Sequence, residues 1–267
     1  MKWGIVCKPS DDSYKIGKSI YEMLHEALLE KKIASYLGKN GLSIEEIGRE
    51  ADGIIVVGGD GTILMTFQHT TKPVFSINTG RIGFLTEVEA EEAEEAMEKI
   101  LQGEYKIEER IKIKSLLNDW RLPDAVNEIA IHTAHLGKIL PFRVYINGEI
   151  VQEIDGDGLI VATPTGSTSH ALSVGGPIVE PLLNVFIIAP MAPFRHLASP
   201  LVISAENRVR IEIEKEAQIA IDGLHIEDFT PDDKLEVMMS EKRARFMKLK
   251  NDFYEKIYKK LRFGKYK

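Results

Sequence analysis

The chain holds a single cysteine, Cys7, among 267 residues. A disulfide framework within it is excluded, and one thiol inside an apolar run fits a reducing cytosol. Long apolar runs are also missing, and none approaches the roughly 20 residues that a membrane helix needs. The opening MKWGIVCKPS carries an apolar run far too short for the core of a signal peptide. No basic block dominates, and the formal net charge is -7. A binder of nucleic-acid backbone needs a positive footprint, so that class is disfavoured. A small anionic ligand stays open, because a few local donors can hold a phosphate on an acidic protein. Glutamine is scarce beside abundant Glu, Lys and Ile, a balance that hints at a hot-growing source. The expectation is a soluble cytoplasmic protein with no nucleic-acid or membrane partner.

What is present is 44% hydrophobic residues, enough for a sizeable core in one large domain or two medium ones. Short buried-type runs at 3–7, 54–57 and 74–77 alternate with helical patterns at 13–30, 42–50, 62–69 and 89–101. Ser43 followed by Glu46 is a capping-box candidate, and 33–37 reads as a further strand. This alternation predicts a parallel, Rossmann-like α/β sheet over residues 1–100. From Ile107 the texture changes to short alternating runs. Asn147-Gly148, Asp157-Gly158 and Asp222-Gly223 punctuate them as turn dipeptides. That predicts a β-rich second domain over 101–250, with KRARFMKLK (242–250) as an exposed hairpin strand. Its one expected helix follows Thr165–Thr168. Residues 251–267 begin as a helix capped by Asn251, with Phe253, Ile257 and Leu261 on one face. This helix is expected to pack back on the first domain.

Two stretches concentrate chemistry. VVGGDGTIL (56–64) sets Gly58, Gly59, Asp60, Gly61 and Thr62 between a buried strand and a helix. Glycines let a backbone approach a ligand closely, and successive N–H groups at a helix start can cradle a phosphate. An Asp-Gly pair is equally a common turn, so local chemistry leaves both readings open. The loop lacks the Gly-Lys-Ser/Thr of a P-loop. ATPTGSTSHALSVGGPIV (162–179) masses hydroxyls and bare N–H groups before a helix start. That suits hydrogen bonding to ribose or amide groups, and an ordinary capped helix is the plain alternative. Two such loops in separate domains suggest a ligand bound between the domains.

These stretches, together with SINTGRIGFLTEV (76–88), VNEIAI (126–131), GDGLIVATPTGSTSHALSVGGPIVEP (156–181) and IAIDG (219–223), resemble the ATP-dependent NAD kinases over nearly the whole chain. GGDGT alone is shared with lipid kinases and, loosely, with phosphofructokinases. The resemblance implies transfer of the γ-phosphoryl group of ATP to the 2′-hydroxyl of the adenosine ribose of NAD. A lipid or sugar kinase on the same scaffold is one alternative, and a non-catalytic nucleotide-binding regulator is another. Bacterial lipid kinases carry a Gly-Thr-Gly-Asn-Asp segment where this chain has GRIGFL.

By that resemblance, Asp60 is the catalytic group that meets the attacking hydroxyl. Gly58, Gly59, Gly61 and Thr62 line the ATP phosphates, and a divalent ion, Mg²⁺, accompanies ATP. The implied NAD contacts are Asp60, Gly61, Asn127, Glu128, Lys138, Asp155, Asp157, Thr165, Thr168, Ser169, His170, Ala171, Leu172, Ser173 and Ala192. Ala192 resembles a contact from a neighbouring subunit, which implies a homodimer or homotetramer. The chain departs from the family pattern at two of these places and at one more. His170 stands where tyrosine is common, Asp155 where Arg or Lys is frequent, and Leu224 where Gln is frequent. His132 and His135 form a candidate metal pair, but no cysteine or third ligand accompanies them, so a structural or solvent-facing role is expected.

Overall fold

The computed structural model describes residues 1–80, 83–135, 137–194 and 198–261. The chain divides into two compact units. One is Met1–Glu109 together with the chain from Ala244, and the other is Arg110–Arg243. A strand runs unbroken across each of these bounds.

The first unit opens with β1 (Trp3–Cys7), α1 (Asp11–Leu24), β2 (Leu28–Leu29), α2 (Lys31–Tyr36) and α3 (Ile44–Glu50). It continues with β3 (Gly53–Gly58), α4 (Asp60–His69), β4 (Val74–Asn78), β5 (Val88–Glu89) and α5 (Ala93–Leu101). The strands pair in parallel in the order β2-β1-β3-β4, with β5 beside the end of β4. Every residue of β1, β3 and β4 is buried. Helices therefore cover both faces, and this is why the strands read as unbroken apolar runs. Ile5, Val57, Phe75 and Ile77 pack on one face against Ile20 of α1 and Met97 and Ile100 of α5.

Two segments differ from their sequence pattern. The helix expected over 13–30 ends at Leu24, where His25 turns to a φ of 59°. Leu28 and Leu29 continue its apolar spacing but pair with Gly4 and Ile5 at the sheet edge. That edge being filled, 33–37 does not form a strand. It falls mostly within α2, whose start is held by the Glu30 side chain accepting from the Lys32 N–H. At α3 the expected capping box between Ser43 and Glu46 is present in both directions.

The second unit begins within β6 (Lys106–Leu117), followed by β7 (Trp120–Arg121), β8 (Glu128–Thr133), β9 (Leu140–Ile146), β10 (Glu149–Gly156) and β11 (Gly158–Ala162). Then come α6 (His170–Ser173), β12 (Val185–Met191), β13 (Leu201–Ser204), β14 (Val209–Ile213), β15 (Ala217–Ile221), β16 (His225–Phe229) and β17 (Leu235–Lys248). One antiparallel sheet runs β13-β12-β11-β8-β15-β16, and β10-β9-β14-β17 forms a second antiparallel set. Ile129, Leu159, Phe186 and Ile219 of the first share one core with Phe142, Val144, Val209 and Leu235 of the second. Asn147-Gly148 and Asp222-Gly223 are hairpin turns with positive φ at both residues, as their composition predicts. Asp157-Gly158 is no hairpin: Asp157 N–H donates to the Met191 carbonyl, and Gly158 opens β11. A Cβ at Gly158 would run into Met191 and the Ile131 carbonyl, so this glycine serves close strand approach.

β17 carries the chain back into the first unit. It is one continuous strand, and 242–250 is not an exposed hairpin strand, because Ala244, Phe246 and Met247 are buried. Phe246 pairs with Val74 of β4 and meets the Phe67 ring edge-on at 4.8 Å. The last helix, α7 (Phe253–Lys260), starts at Asp252 rather than at Asn251. The Asp252 carboxylate is held by Lys248 and Lys256, which fixes the helix start one residue later. Among the described residues no helix is long and apolar enough to cross a membrane.

Candidate active site

In the first unit, β3 ends at Gly58, Gly59 takes the cap position, and Asp60 is the first residue of α4. Ligands of open α/β sheets favour this end of the strands. The Asp60 carboxylate accepts the Phe84 N–H at 2.8 Å on Oδ2 and the Leu85 N–H at 3.0 Å on Oδ1. A helix start also favours its negative charge. Gly83 passes so close that a Cβ there would lie 2.7 Å from Asp60 Oδ1. By contrast, a Cβ on Gly59 or Gly61 would meet nothing within 4 Å among the described residues. Those two glycines leave the loop's outer side open to a ligand. Thr62 covers the side-chain position of Gly58, and Thr79 N–H donates to the Gly58 carbonyl.

The second unit assembles a separate constellation around Asn127 and Glu128. Asp222, buried in its hairpin turn, accepts from the backbone N–H groups of Val126 at 2.8 Å, Asn127 at 2.8 Å and Glu128 at 3.1 Å. Burial pushes the Asp222 carboxyl up, while these amides and the buried Lys112 pull it down. From the other side, Thr163 Oγ1 donates to the Val126 carbonyl at 2.6 Å, and Thr163 N–H donates to the Asn127 carbonyl at 2.8 Å. Gly166 lies against the same Asn127 peptide, where any Cβ would overlap the backbone. The backbone of this pair is thus fully engaged. Three nearby side-chain atoms are buried and have no partner among the described residues: Asn127 Oδ1, Glu128 Oε2 and Thr165 Oγ1. Burial pushes the Glu128 carboxyl up to about 8, aided by the Asp222 charge and opposed by a hydrogen bond from Ser169.

Strand alternation decides which face these groups share. Glu128, Ala130 and His132 point to one side of β8, and Ile129 and Ile131 to the core. Ala171 packs with Ala130, Ile160 and Ala162 on that outer side, so the segment 165–173 lies over it. The His170 ring stacks on His132 with centroids 5.6 Å apart. Burial, with the His170 charge behind it, pushes the His132 pKa down. Glu128 pairs with Ala162 and His132 with Gly158, so these groups mark the two ends of β11. Asp157 sits beside Gly158, and Ala192 follows Met191, the partner of Gly158 across the sheet. Ala192 holds a φ of 42°, a backbone region rare for alanine. Asp155 is exposed on β10, and Lys138 is exposed in the turn closed by its N–H to the His135 carbonyl.

His132 shares this face of β8 with Glu128 and stacks on His170. His135 stands apart from it, paired at 3.3 Å with Glu216. Among the described residues no three His, Cys, Asp or Glu side chains are grouped to hold a metal ion. Asp222 and Thr163 were missed as supports. Asp222 reads locally as a turn residue, and its partners lie up to 96 positions away.

Both constellations lie within domains that match family models. The ATP-NAD kinase N-terminal domain matches residues 40–105, which include the glycine loop, and the C-terminal domain matches 126–249, which include the Asn-Glu pair. The chain belongs to the ATP-NAD kinase family. An NAD kinase of Pyrococcus abyssi is 38% identical over 96% of this chain and 97% of its own. One from Pyrococcus furiosus is 36% identical over 98% of this chain and 99% of its own. Among solved structures, an Archaeoglobus fulgidus NAD kinase in complex with ATP is 32% identical, with a TM-score of 0.82 over 98% of this chain and 99% of that one. A yeast NADH kinase complexed with NADH reaches a TM-score of 0.92 at 23% identity, covering 100% of this chain and 89% of that one, and so shares the fold. As in those ATP-NAD kinase relatives, the chain joins an α/β N-terminal domain to a β-rich C-terminal domain.

Proposed function

We propose that the chain phosphorylates NAD, passing the γ-phosphoryl group of ATP to the 2′-hydroxyl of the adenosine ribose and releasing NADP and ADP. Family membership and full-length relatives named NAD kinase support this activity. The unpaired buried atoms of Asn127, Glu128 and Thr165 carry the site reading. Each such atom costs about 1–3 kcal/mol while it lacks a partner. A ligand rich in hydroxyl and amide groups supplies what they lack. The contacts proposed for NAD extend along β11, whose ends are about 13 Å apart at the usual strand rise. That span suits an elongated dinucleotide, with Asn127, Glu128, Thr165, Thr168 and Ser169 at one end. His170, Ala171, Leu172, Ser173, Asp157 and Ala192 serve the other. Lys138 and Asp155 stand as outer contacts.

Phosphoryl transfer asks mainly for positioning and charge neutralisation. The ribose oxygen attacks the γ-phosphorus, the bond to the ADP oxygen breaks, and the hydroxyl proton passes to Asp60. Each Asp60 oxygen spends one lone pair on a backbone N–H and keeps another for the substrate. Gly58, Gly59, Gly61 and Thr62 face the ATP phosphates. Mg²⁺ is proposed to accompany ATP, keeping several waters and leaning on the nucleotide phosphates. The reading extends to a cytoplasmic homodimer or homotetramer in which Ala192 is contacted from a neighbouring subunit.

Purified protein given ATP, Mg²⁺ and NAD should form NADP, read by an NADP-specific dehydrogenase. Failure to form it at every temperature and with every divalent ion tried would reject the reading. Sedimentation of an active monomer at assay concentration would reject the subunit-bridging part alone.

A further inference from the structure

α7 lies beyond residue 249, where the C-terminal family match stops. It is nevertheless built into the segment that holds Asp60. Phe84 and Leu85 give their N–H groups to the Asp60 carboxylate. The next two residues are gripped from the end of the chain. The Thr86 carbonyl accepts from Lys256 Nζ at 2.6 Å. Glu87 Oε1 accepts the Leu249 N–H at 2.7 Å and the Lys250 N–H at 3.2 Å, and the carboxylate also pairs with Lys248. Asp252 completes the array, 3.2 Å from Lys248 Nζ and 3.1 Å from Lys256 Nζ. One helical turn further on, Lys260 Nζ lies over the Phe84 ring, 5.7 Å from its centroid.

Docking a terminal helix does not require this arrangement. Glu87 and Asp252 are only 4% and 7% exposed. Buried ion pairs are a poor source of stability, and apolar replacements of similar volume often serve as well. The cost shows on Lys256 itself: burial and the neighbouring Lys248 push its pKa down to about 8 against the pull of Asp252 and Glu87. What such an array does supply is direction. A peptide carbonyl held by an ammonium fixes the plane of that peptide, and the planes before it carry the two N–H groups on Asp60.

We propose that Lys256 is a positioning residue of the transfer reaction: by clamping the Thr86 carbonyl it aims the Phe84 and Leu85 N–H groups that orient Asp60. The proposal rests on the reading of Asp60 as the group that meets the ribose hydroxyl. Lys256 touches neither substrate, and its effect passes through Asp60 alone.

The experiment is steady-state kinetics on K256M, K256R, D252N and D60N in the full chain, with K256M/D60N closing a double-mutant cycle. K256M should lose kcat about tenfold or more, the scale of a small misplacement near the reacting atoms. Its KM for NAD and ATP should move by less than about twofold. K256R, which keeps a donor and a charge, should recover most of the loss. D252N breaks two ion pairs but leaves the Lys256–Thr86 bond, so it should melt lower and keep its kcat. In the D60N background K256M should change the residual rate by less than about twofold, since the two act as one unit. Parent-like kcat in K256M, or equal kcat losses in D252N and K256M, would overturn the clamp. So would a full K256M effect on top of D60N. Should K256M not fold, D252N decides alone: retained kcat supports the clamp, and lost kcat overturns it. A fully active D60N points elsewhere, to failure of the Asp60 reading itself.

Discussion

Asp222 holds Asn127 by its backbone: the carboxylate accepts the Asn127 N–H at 2.8 Å, while the Asn127 side-chain oxygen remains buried and unpaired. Support and recognition are thus divided between two residues. The carboxylate fixes the peptide, and the amide side chain is the group proposed to meet NAD.

Replacing Asp222 by Asn turns one acceptor oxygen into a donor among three N–H groups. At least one buried donor then loses its partner, at about 1–3 kcal/mol. D222N should melt lower, and its KM for NAD should rise about tenfold, since 1.4 kcal/mol of binding is a factor of ten. Kinetics with NAD as the varied substrate and a thermal melt check both. An unchanged KM would show that the Asn-Glu turn keeps its shape without Asp222.

Gly166 makes a sharper test of the same turn. A methyl group there would overlap the Asn127 backbone, which is already tied to Asp222 and Thr163. Backbone cannot step aside as a flexible side chain would. G166A should therefore lose NAD binding by calorimetry, with a stability loss of about 1–3 kcal/mol from overpacking. Normal NAD affinity in G166A would refute the close contact.

Asp60→Asn keeps size and removes the charge proposed to take the proton. It should fold, bind NAD within a few-fold of the parent by calorimetry, and lose about 10²–10⁴ in kcat, the usual worth of a positioned base. Full turnover by this variant would remove Asp60 from the chemistry.

Glu128 predicts a pH dependence of stability. Its folded pKa, about 8, lies above the ordinary 4.5. The folded state therefore holds the proton longer than the unfolded one. The stabilisation is complete below about 4.5 and is lost as pH rises through about 8. Glu128→Gln does not titrate there, so its Tm should gain on the parent as pH rises over that window. For a chain of this size, each kcal/mol is worth about 2–4 °C. Parallel Tm curves for the two proteins would contradict the shift.

The His132–His170 stack predicts a coupled titration. Burial and the His170 charge both hold the His132 pKa down. His170→Phe keeps a ring over His132 and removes the charge, so the His132 ring protons should titrate at higher pH in NMR. Burial, the larger cause, remains, and the recovery should be partial. A His132 titration that does not move would mean that the two rings do not sense each other.

Much of this architecture was legible in the chain itself. β1, β3 and β4 are covered on both faces, and such strands have to be apolar throughout. Asn147-Gly148 and Asp222-Gly223 announce their hairpins because positive φ selects those residue types. The glycine loop and the Thr-Gly-Ser run were visible as concentrations of donors and small residues, whereas the Asn-Glu pair was singled out by the family resemblance alone. Short segments were harder. Leu28–Leu29 and 33–37 are too brief for periodicity to separate helix from strand, and the place already filled beside β1 settled them.

What the amino-acid order determined, then, was the inventory: buried strands, tight turns and the groups able to do chemistry. Only the tertiary structure decided their partners, because a carboxylate or an ammonium has no preferred partner until folding brings one within reach. Asp222 and Asn127 stand 95 positions apart, and Lys256 and Thr86 stand 170 apart. No local pattern encodes such pairs. Burial then gave them consequence, since a polar group removed from water must take whatever partner the fold presents or remain open for a ligand.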